Sequence, residues 1–238
     1  MKASGLTHVG KLRKRNEDAF VILENPMVAI VSDGMGGAPH GDIASQLTLH
    51  YFSHEVKDKQ PWTVASLHDA VKATNNAVVA EAAKNTHTQG MGATLVAYLN
   101  SGSQSFLVNV GDSRAYGLNH EGLKRLSEDH NVMNAYLKRN QDLDDKLDVR
   151  YKHMLTSVIG MPSGCMVDVS ELKDEYDLIL LCSDGLSNLI SESNMIDVLT
   201  STQTLEHKAK TLIELANQAG GSDNITLIII DMRGDAYE

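Results

Sequence analysis

The order in which strand-like and helix-like segments follow one another limits the folds open to this chain. Strand-like runs occupy 18–25, 27–32, 92–100, 104–118, 121–127, 166–173, 177–183 and 224–232, and helical segments occupy 41–56, 66–85, 191–200 and 204–219. The strands therefore arrive in groups and the helices in pairs, without strict alternation. This order favours antiparallel sheets covered by helices over a doubly wound parallel sheet.

Turn residues between the runs predict which strands are neighbours. Asn25-Pro26 separates the first two runs, and Ser101-Gly102 and 119–122 separate later ones. We therefore predict a run of adjacent antiparallel strands over 92–127 and a further pair from the two runs that precede the last helices. We find no linker and no internal repeat beyond two similar turns, so we expect one domain over 1–238.

Composition excludes several classes of partner. Among 238 residues, 21 are Lys or Arg and 31 are Asp or Glu, which gives a net charge of -10. Nucleic acid and anionic membrane surfaces are bound through Lys and Arg, so neither is expected as the main partner. The first 20 residues contain no apolar signal-peptide core, and two cysteines cannot form a framework of several disulfides. We expect a cytoplasmic protein.

Acidic residues stand where apolar runs end, and most have a glycine close by. The runs "MVAIVSDGMGG" and "LILLCSDGLS" both break at Ser-Asp-Gly, and further acids occur in "RNEDA", "VNVGDSR" and "GSDNIT". Asp and Gly are ordinary turn residues, so any one of these sites has a simple structural explanation. Their repetition at the ends of strands instead favours a shared function for Glu17, Asp18, Asp33, Asp112, Asp184 and Asp223.

Carboxylates that converge in one place need positive charge. Two unit charges about 4 Å apart repel by about 4 kcal/mol at an effective dielectric constant near 20. Oxygen ligands without clustered His or Cys select Mg²⁺ or Mn²⁺ over zinc. If the acids meet, the sequence predicts a site for these hard divalent ions.

Eight segments of the chain resemble the metal-dependent serine/threonine protein phosphatases of the PPM (PP2C-like) type, in their compact bacterial form. They are "HVGKLRKRNEDA", "VSDGMGG", "GDIAS", "MGATLVA", "VNVGDSRAY", "LSEDHN", "LCSDGLSN" and "GSDNITLIII", in the order of the family. The resemblance implies an α+β fold, a β-sandwich of two antiparallel sheets flanked by pairs of antiparallel helices. The metals would lie in a cleft at one end of this sandwich.

The resemblance also implies a role for each acid at the metals. Asp33 would bridge two Mn²⁺ or Mg²⁺ ions. Asp184 and Asp223 would complete the first ion, and Glu17 and the carbonyl of Gly34 would bind the second.

Three further positions carry over from the family. Asp18 would hold a water at the metals by hydrogen bonding, and Asp112 with Asp184 would form a third, weaker metal site. Arg13 would bind the substrate phosphate, which leaves Arg15 as a solvated charge. Arg13, Asp18 and Asp33 are thus the expected catalytic residues.

The reaction implied is hydrolysis of phosphoserine and phosphothreonine in proteins by an activated water. Hydrolysis of phosphate monoesters is among the slowest uncatalysed reactions, and a positioned acid or base supplies only about 10²–10⁴ of the acceleration. Metal ions must carry the remainder. The expected partners are phosphorylated proteins and a cognate Hanks-type kinase, and we expect a monomer.

The chain departs from the family pattern at three places. Met35 stands where animal members have a histidine proposed as the general acid, so the leaving group must be protonated by a water at the metals or by another residue. Asn131 replaces a common serine. The segment that resembles the family's flap, about 131–160, matches poorly and leaves substrate preference open.

Other functions are weaker alternatives. Cysteine-based phosphatases need an arginine six positions after the cysteine, but Glu171 and Asn188 stand there. Cys182 is interpreted as a core residue. A phosphohydrolase for a small phosphate ester or nucleotide remains open, although the chain has no Walker-type loop. A catalytically inactive module that only binds phosphoprotein is a further alternative, although such modules usually lose metal-binding aspartates.

Overall fold

A computed structural model of the protein describes residues 1–35, 40–57, 59–102, 104–140, 154–173 and 175–233. Within these residues the strands are β1 (Lys2–His8), β2 (Asp18–Glu24), β3 (Met27–Asp33), β4 (Leu95–Asn100), β5 (Ser105–Val110), β6 (Arg114–Asn119), β7 (Gly122–Arg125), β8 (Asp168–Leu172), β9 (Leu178–Cys182) and β10 (Ile225–Asp231). The α-helices are α1 (Gly41–Lys57), α2 (Val64–Ala83), α3 (Val132–Asn140), α4 (Asp184–Ser187), α5 (Glu192–Leu199) and α6 (Leu205–Gln218), and a 3₁₀ turn covers Thr86–Thr88.

The strands form two five-stranded sheets in which every pairing is antiparallel. The first sheet has the order β1-β10-β9-β6-β7, and the second has the order β2-β3-β4-β5-β8. One apolar layer lies between the sheets, a second lies between the second sheet and α1 with α2, and a third lies between the first sheet and α5 with α6. The predicted fold class, a β-sandwich flanked by helix pairs, is confirmed.

The layered arrangement explains why the central strands are apolar on both faces. In β3, six of the seven residues are buried, and in β10 the run of three isoleucines, 228–230, is fully buried. Side chains alternate between the two faces of a strand, so such a strand covers both the inter-sheet core and a helix layer. The apolar runs in the sequence are therefore a direct consequence of the helices outside the sandwich.

Two predictions about the strands are wrong, although the expected neighbours within 92–127 do pair, as β4 with β5 and as β6 with β7. The run over 92–127 was expected to be continuous, but β5 and β6 lie in different sheets, and the chain crosses between them at Gly111, whose φ is 103°. The pair 166–173 and 177–183 was also expected, but β8 pairs with β5 while β9 pairs with β6 and β10. A short connection between strands predicts a hairpin, and here short connections instead carry the chain from one sheet to the other.

Strand β1 was not predicted. Its sequence, "KASGLTH", has no apolar run, and its residues are half-buried or exposed. It lies at the edge of the first sheet, where pairing with the isoleucine-rich β10 determines its conformation.

The flap-like segment 131–160 is described only at its two ends. Its first part forms α3, and Asn131, the departure from the common serine, accepts a 2.9 Å hydrogen bond from the backbone N–H of Asn134 in the first turn of that helix. The prediction for 141–153 falls on residues outside those that the structure describes. In the described chain, no helix is both long enough and apolar enough to cross a membrane.

Candidate active site

A cleft of about 290 Å³ at one end of the sandwich collects the predicted acids. Asp33 ends β3, Asp112 lies between β5 and β6, Asp184 begins α4 after β9, and Asp223 precedes β10. The cleft is lined by Arg13, Glu17, Asp33, Gly34, Met35, Thr94, Asp112, Met154, Leu155, Asp184 and Asp223. Of the eight predicted site residues, all but Asp18 line this cleft, and Asp18 is buried and paired with Asp33 across β2 and β3.

Thr94 fixes the backbone that carries Asp33. The Asp33 N–H donates to Thr94 Oγ1 at 2.9 Å, and the Thr94 N–H donates to the Asp33 carbonyl at 2.8 Å. The hydroxyl of Ser32 donates to the Thr94 carbonyl at 2.6 Å, and Thr94 Oγ1 also shares a 2.7 Å hydrogen bond with Ser113 Oγ. Sequence reasoning missed Thr94, and the only signal was its place in the "MGATLVA" segment.

The glycines of the two Ser-Asp-Gly turns are required by close approach of the backbone. A Cβ on Gly34 would lie 2.1 Å from the carbonyl oxygen of Gly41, and a Cβ on Gly185 would lie 1.9 Å from that of Asn224. Any side chain at these positions would push apart segments that carry the acids. The Gly34 N–H also donates to the Glu17 carbonyl at 3.1 Å.

Asn224 holds the loop that carries Arg13 and Glu17. Its Oδ1 accepts a hydrogen bond from the Glu17 N–H at 2.8 Å, and its Nδ2 donates to the carbonyls of Val9 and Arg15, each at 2.9 Å. The side chain is buried, so these bonds are shielded from water. Asn224 was not predicted, although a buried polar residue directly after Asp223 was a usable signal.

Arg13 reaches into the cleft beside an acid. Its Nη2 donates to Asp223 Oδ2 at 2.8 Å, and both side chains are partly exposed, 42% and 34%. A pair this exposed contributes little to stability, so its place in the cleft is of more interest than its energy. Arg15 is exposed to solvent.

Asp18 lies behind the cleft with one oxygen paired and one not. The hydroxyl of Ser183, from the second Ser-Asp-Gly turn, donates to Asp18 Oδ2 at 2.8 Å. Asp18 Oδ1 is buried and has no hydrogen-bond partner. A buried acceptor without a partner is costly, and it is an arrangement that suits a bound water or cation.

The acids raise one another's pKa because they are buried together. Burial, followed by the charges of Asp18 and Asp184, holds the pKa of Asp33 well above its usual range. Burial raises the pKa of Asp18 to about 7 and, with the charge of Asp184, raises that of Asp112 to about 7. Burial and the charge of Asp223 also raise the pKa of Asp184. The raised pKa values show that several negative charges in this cleft are costly without positive charge beside them. A cation bound between the carboxylates would remove this cost, so the cleft is an electrostatic site for cations.

The donor set fits hard divalent ions. Carboxylate oxygens and a backbone carbonyl are the kind of ligand that Mg²⁺ and Mn²⁺ prefer, and no histidine lines the described part of the cleft. Among the residues that the structure describes, no three His, Cys, Asp or Glu side chains are already arranged as a ligand group around one point. The fit therefore rests on the oxygen donors, the raised pKa values and the unpartnered oxygen of Asp18.

His130 supports the turn that carries Asp112. Its backbone N–H donates to the Gly111 carbonyl at 2.9 Å, and its Nδ1 accepts from the Gly111 N–H at 3.2 Å. Its Nε2 lies 3.0 Å from Asp168 Oδ2 on β8. The imidazole is buried, so it serves as a structural support for the turn and stands away from solvent.

Asp129 supports the turn that carries Asp184. Arg114 donates to both carboxylate oxygens of Asp129, at 3.1 and 2.9 Å, and Arg125 contacts the same carboxylate. Arg114 also donates to the Ser187 carbonyl at the end of α4 at 3.3 Å. The "EDHN" segment thus braces two acid-bearing turns, a role that sequence reasoning did not assign.

Met35 and Cys182, whose chemical roles were in question in the sequence, lie in the cleft lining and in the core, respectively. Met35 lines the cleft at the position where animal members of the family have a histidine, and its backbone N–H donates to the Gly92 carbonyl at 3.0 Å. Cys182 is fully buried on β9, and burial raises the pKa of its thiol to about 12. The thiol is therefore protonated and unreactive at neutral pH, as predicted for a core residue.

Comparison with known proteins gives consistent matches along the chain. The family model for protein phosphatase 2C matches residues 8–219. The serine/threonine phosphatase Stp of Listeria welshimeri is 34% identical over 241 aligned positions, which cover 97% of this chain and 96% of that protein. The crystal structure of serine/threonine phosphatase Stp1 from Staphylococcus aureus superposes with a TM-score of 0.88 at 27% identity and covers 98% of this chain and 95% of that one.

A metal-containing structure is among the matches. The catalytic domain of serine/threonine protein phosphatase PstP, crystallised in complex with two manganese ions, has a TM-score of 0.81 and 29% identity. The alignment covers 97% of both chains. A related fold of the same extent therefore holds two Mn²⁺ ions.

Proposed function

The chain belongs to the protein phosphatase 2C family and is a protein-serine/threonine phosphatase, and we propose that it acts through two Mn²⁺ or Mg²⁺ ions held in the acidic cleft. The observation that carries the proposal is the convergence of Asp33, Asp184 and Asp223 with Arg13 and Glu17 in one cleft. The manganese-bound PstP structure supports the choice of ion.

The ligand roles follow the resemblance to the family, and the shared cleft supports them. Asp33, at the end of β3, would help to hold both ions, with Asp184 and Asp223 holding the first ion and Glu17 and the Gly34 carbonyl holding the second. Two such ions would supply Lewis-acid charge and would make a water in the cleft acidic enough to act as a nucleophile near neutral pH. Asp112, beside Asp184, would contribute to a third, weaker site.

The protein's own residues orient the substrate and the water. The forked guanidinium of Arg13 would bind two phosphoryl oxygens in place of its present partner Asp223. Asp18 Oδ1, which has no partner, would accept a hydrogen bond from the attacking water, while Ser183 fixes the other oxygen of the same carboxylate. Since Met35 cannot donate a proton, the serine or threonine leaving group would take its proton from a water in the cleft.

We further propose that the substrates are proteins phosphorylated by a Hanks-type kinase, and that the enzyme works as a monomer. The similarity to bacterial serine/threonine phosphatases along their full length supports phosphorylated proteins as the substrates. An autophosphorylated Hanks-type kinase domain, offered as substrate with Mn²⁺, should lose its phosphate, and light scattering should give the mass of one chain. Retention of the phosphate would contradict the kinase assignment, and a dimer mass would contradict the monomer.

The metal-dependent activity has a direct test. Purified protein with Mn²⁺ should release phosphate from a phosphothreonine peptide, and Asp33→Asn and Asp184→Asn should each reduce turnover by at least about 10³-fold with unchanged circular dichroism. The matched control Asp69→Asn, exposed on α2, should retain activity. Near-normal turnover in either cleft variant at saturating Mn²⁺ would refute the assignment.

The same assay separates the alternative functions. A nucleotide hydrolysed faster than the peptide would favour a small-ester phosphohydrolase. Absence of hydrolysis of p-nitrophenyl phosphate, with the protein folded and Mn²⁺ present, would favour a module that only binds phosphoprotein.

A further inference from the structure

A group of apolar side chains lines the cleft beside its acids and Arg13. Met35, Met154 and Leu155 share the cleft with the acids, and we call these three residues the apolar wall. Met154 is 52% exposed, so a large apolar surface faces solvent beside the place where phosphate would bind. Exposed apolar side chains that stand inside a functional cleft mark a contact surface for a ligand.

The backbone holds Met154 in a defined position. The Val132 N–H donates to the Met154 carbonyl at 2.9 Å, and the Thr156 N–H donates to the His130 carbonyl at 2.8 Å. An antiparallel bridge joins Asn131 to Leu155 between these two bonds. Residues 130–132 and 154–156 therefore form a short two-stranded ladder, and Met154 projects from a fixed support.

The same ladder is tied to the backbone next to the metal ligands. Ala93 forms antiparallel bridges with both Gly34 and Ile159. Asn75, buried on α2, accepts hydrogen bonds from the N–H groups of Gly160 and Met161 at 2.8 and 3.1 Å and donates to the Met161 carbonyl at 3.0 Å. The apolar wall is thus held at a fixed position relative to the Asp33-Gly34 turn.

We propose that the apolar wall selects phosphoproteins by contacting an apolar residue directly beside the phosphorylated serine or threonine, and that Met154 makes the decisive contact. This inference rests on the proposed function. Arg13 is the one Lys or Arg among the described residues that line the cleft, and the phosphate would engage it. The side chains of the wall offer no hydrogen-bond donor to an acidic or amide neighbour. An apolar neighbour would pack against the methionine and leucine side chains, and this contact would remove apolar surface from water.

The test compares peptides that differ only in polarity. A phosphothreonine peptide carries Leu or its near-isostere Asn, first directly before and then directly after the phosphothreonine. Because Leu and Asn have similar size and no charge, the ratio of their kcat/KM values isolates the apolar contact. The wild-type enzyme should prefer Leu by about tenfold at one of the two positions, as expected for one apolar side chain in a partly open site.

Two variants, each with a methionine replaced by glutamine, locate the contact. Met154→Gln should reduce the Leu-over-Asn ratio to below about threefold, because glutamine keeps the length of methionine and loses its apolar surface. Met166 is equally exposed, at 50%, and does not line the cleft, so Met166→Gln should leave the ratio unchanged.

The possible results distinguish failure of the apolar-wall inference from failure of the protein-phosphatase function. Equal hydrolysis of the Leu and Asn peptides by the wild-type enzyme, or an unchanged ratio in Met154→Gln, would overturn the inference and leave the phosphatase intact. Loss of the ratio in Met166→Gln to the same extent would also overturn it. Failure to hydrolyse any phosphopeptide, with p-nitrophenyl phosphate still hydrolysed, would refute the protein-phosphatase function, and the inference would fall with it.

Discussion

Replacing Asp112 by asparagine should stabilise the metal-free protein at neutral and alkaline pH. Burial and the charge of Asp184 raise the pKa of Asp112 to about 7, against a usual value of 3.8. Below about pH 3 the carboxyl group is protonated in both the folded and the unfolded protein. As the pH rises towards 7 the unfolded chain loses this proton while the folded chain keeps it, so the free energy of unfolding falls.

The size of this effect follows from the difference between the two pKa values. About three units correspond to roughly 4 kcal/mol of lost stability above pH 7, of which about 1.5 kcal/mol is already lost at pH 5. Asparagine fills the same space without a charge. The difference in unfolding free energy between Asp112→Asn and wild type should therefore grow by roughly 2–3 kcal/mol between pH 5 and pH 8.

Urea unfolding of metal-free protein in EDTA, at about pH 5 and about pH 8, measures this difference. Asp69→Asn, an exposed change on α2, is the matched control and should show no such growth. Addition of Mn²⁺ should stabilise the wild-type protein more at pH 8 than at pH 5, because cations bind the ionised carboxylates. A difference between Asp112→Asn and wild type that is the same at both pH values would refute the electrostatic reasoning.

Three further predictions concern the residues that hold the cleft together. Arg13→Ala should raise KM for a phosphopeptide at least about tenfold with little change in Mn²⁺ affinity, while Arg15→Ala should leave KM unchanged; an unchanged KM in Arg13→Ala would contradict its role. Asn224→Ala removes three hydrogen bonds from a buried side chain, so it should lower the free energy of unfolding in urea by about 2–4 kcal/mol and speed hydrogen exchange in 9–17. The control Asn76→Ala, at an exposed position, should change the free energy of unfolding little, and equal losses in the two variants would contradict the reasoning. Gly185→Ala places a Cβ 1.9 Å from a backbone oxygen and should destabilise the protein by about 3 kcal/mol or more, so a wild-type melting temperature would count against the packing described.

The layers of the fold could be predicted because apolar runs and helical periodicity are local. Strands β3 and β10 are buried on both faces, and a continuous apolar run in each sequence indicates this burial. The change of sheet at Gly111 could not be predicted, since the three residues between β5 and β6 fit a hairpin as well as a crossover. Strand β1 could not be predicted because its pairing with β10 joins the two ends of the chain.

The acids of the site could be predicted because each lies at the start or the end of a strand-like run, but their supports could not. Thr94, Asn224 and His130 act through hydrogen bonds to backbone far away in sequence, and such partners appear only once the sheets are assembled. Asp18 shows the same limit. Its position in "RNEDA" was visible, whereas its bond from Ser183 depends on the meeting of β2 with the turn after β9.

The number of Mn²⁺ ions bound per chain, measured by equilibrium dialysis beside phosphate release from a phosphothreonine peptide, tests the account most directly. Wild-type protein should bind two ions and hydrolyse the peptide, and Asp33→Asn should lose both the tightly bound ions and the hydrolysis. Wild-type protein that hydrolyses the peptide without bound metal, or Asp33→Asn protein that keeps two ions and full activity, would contradict it.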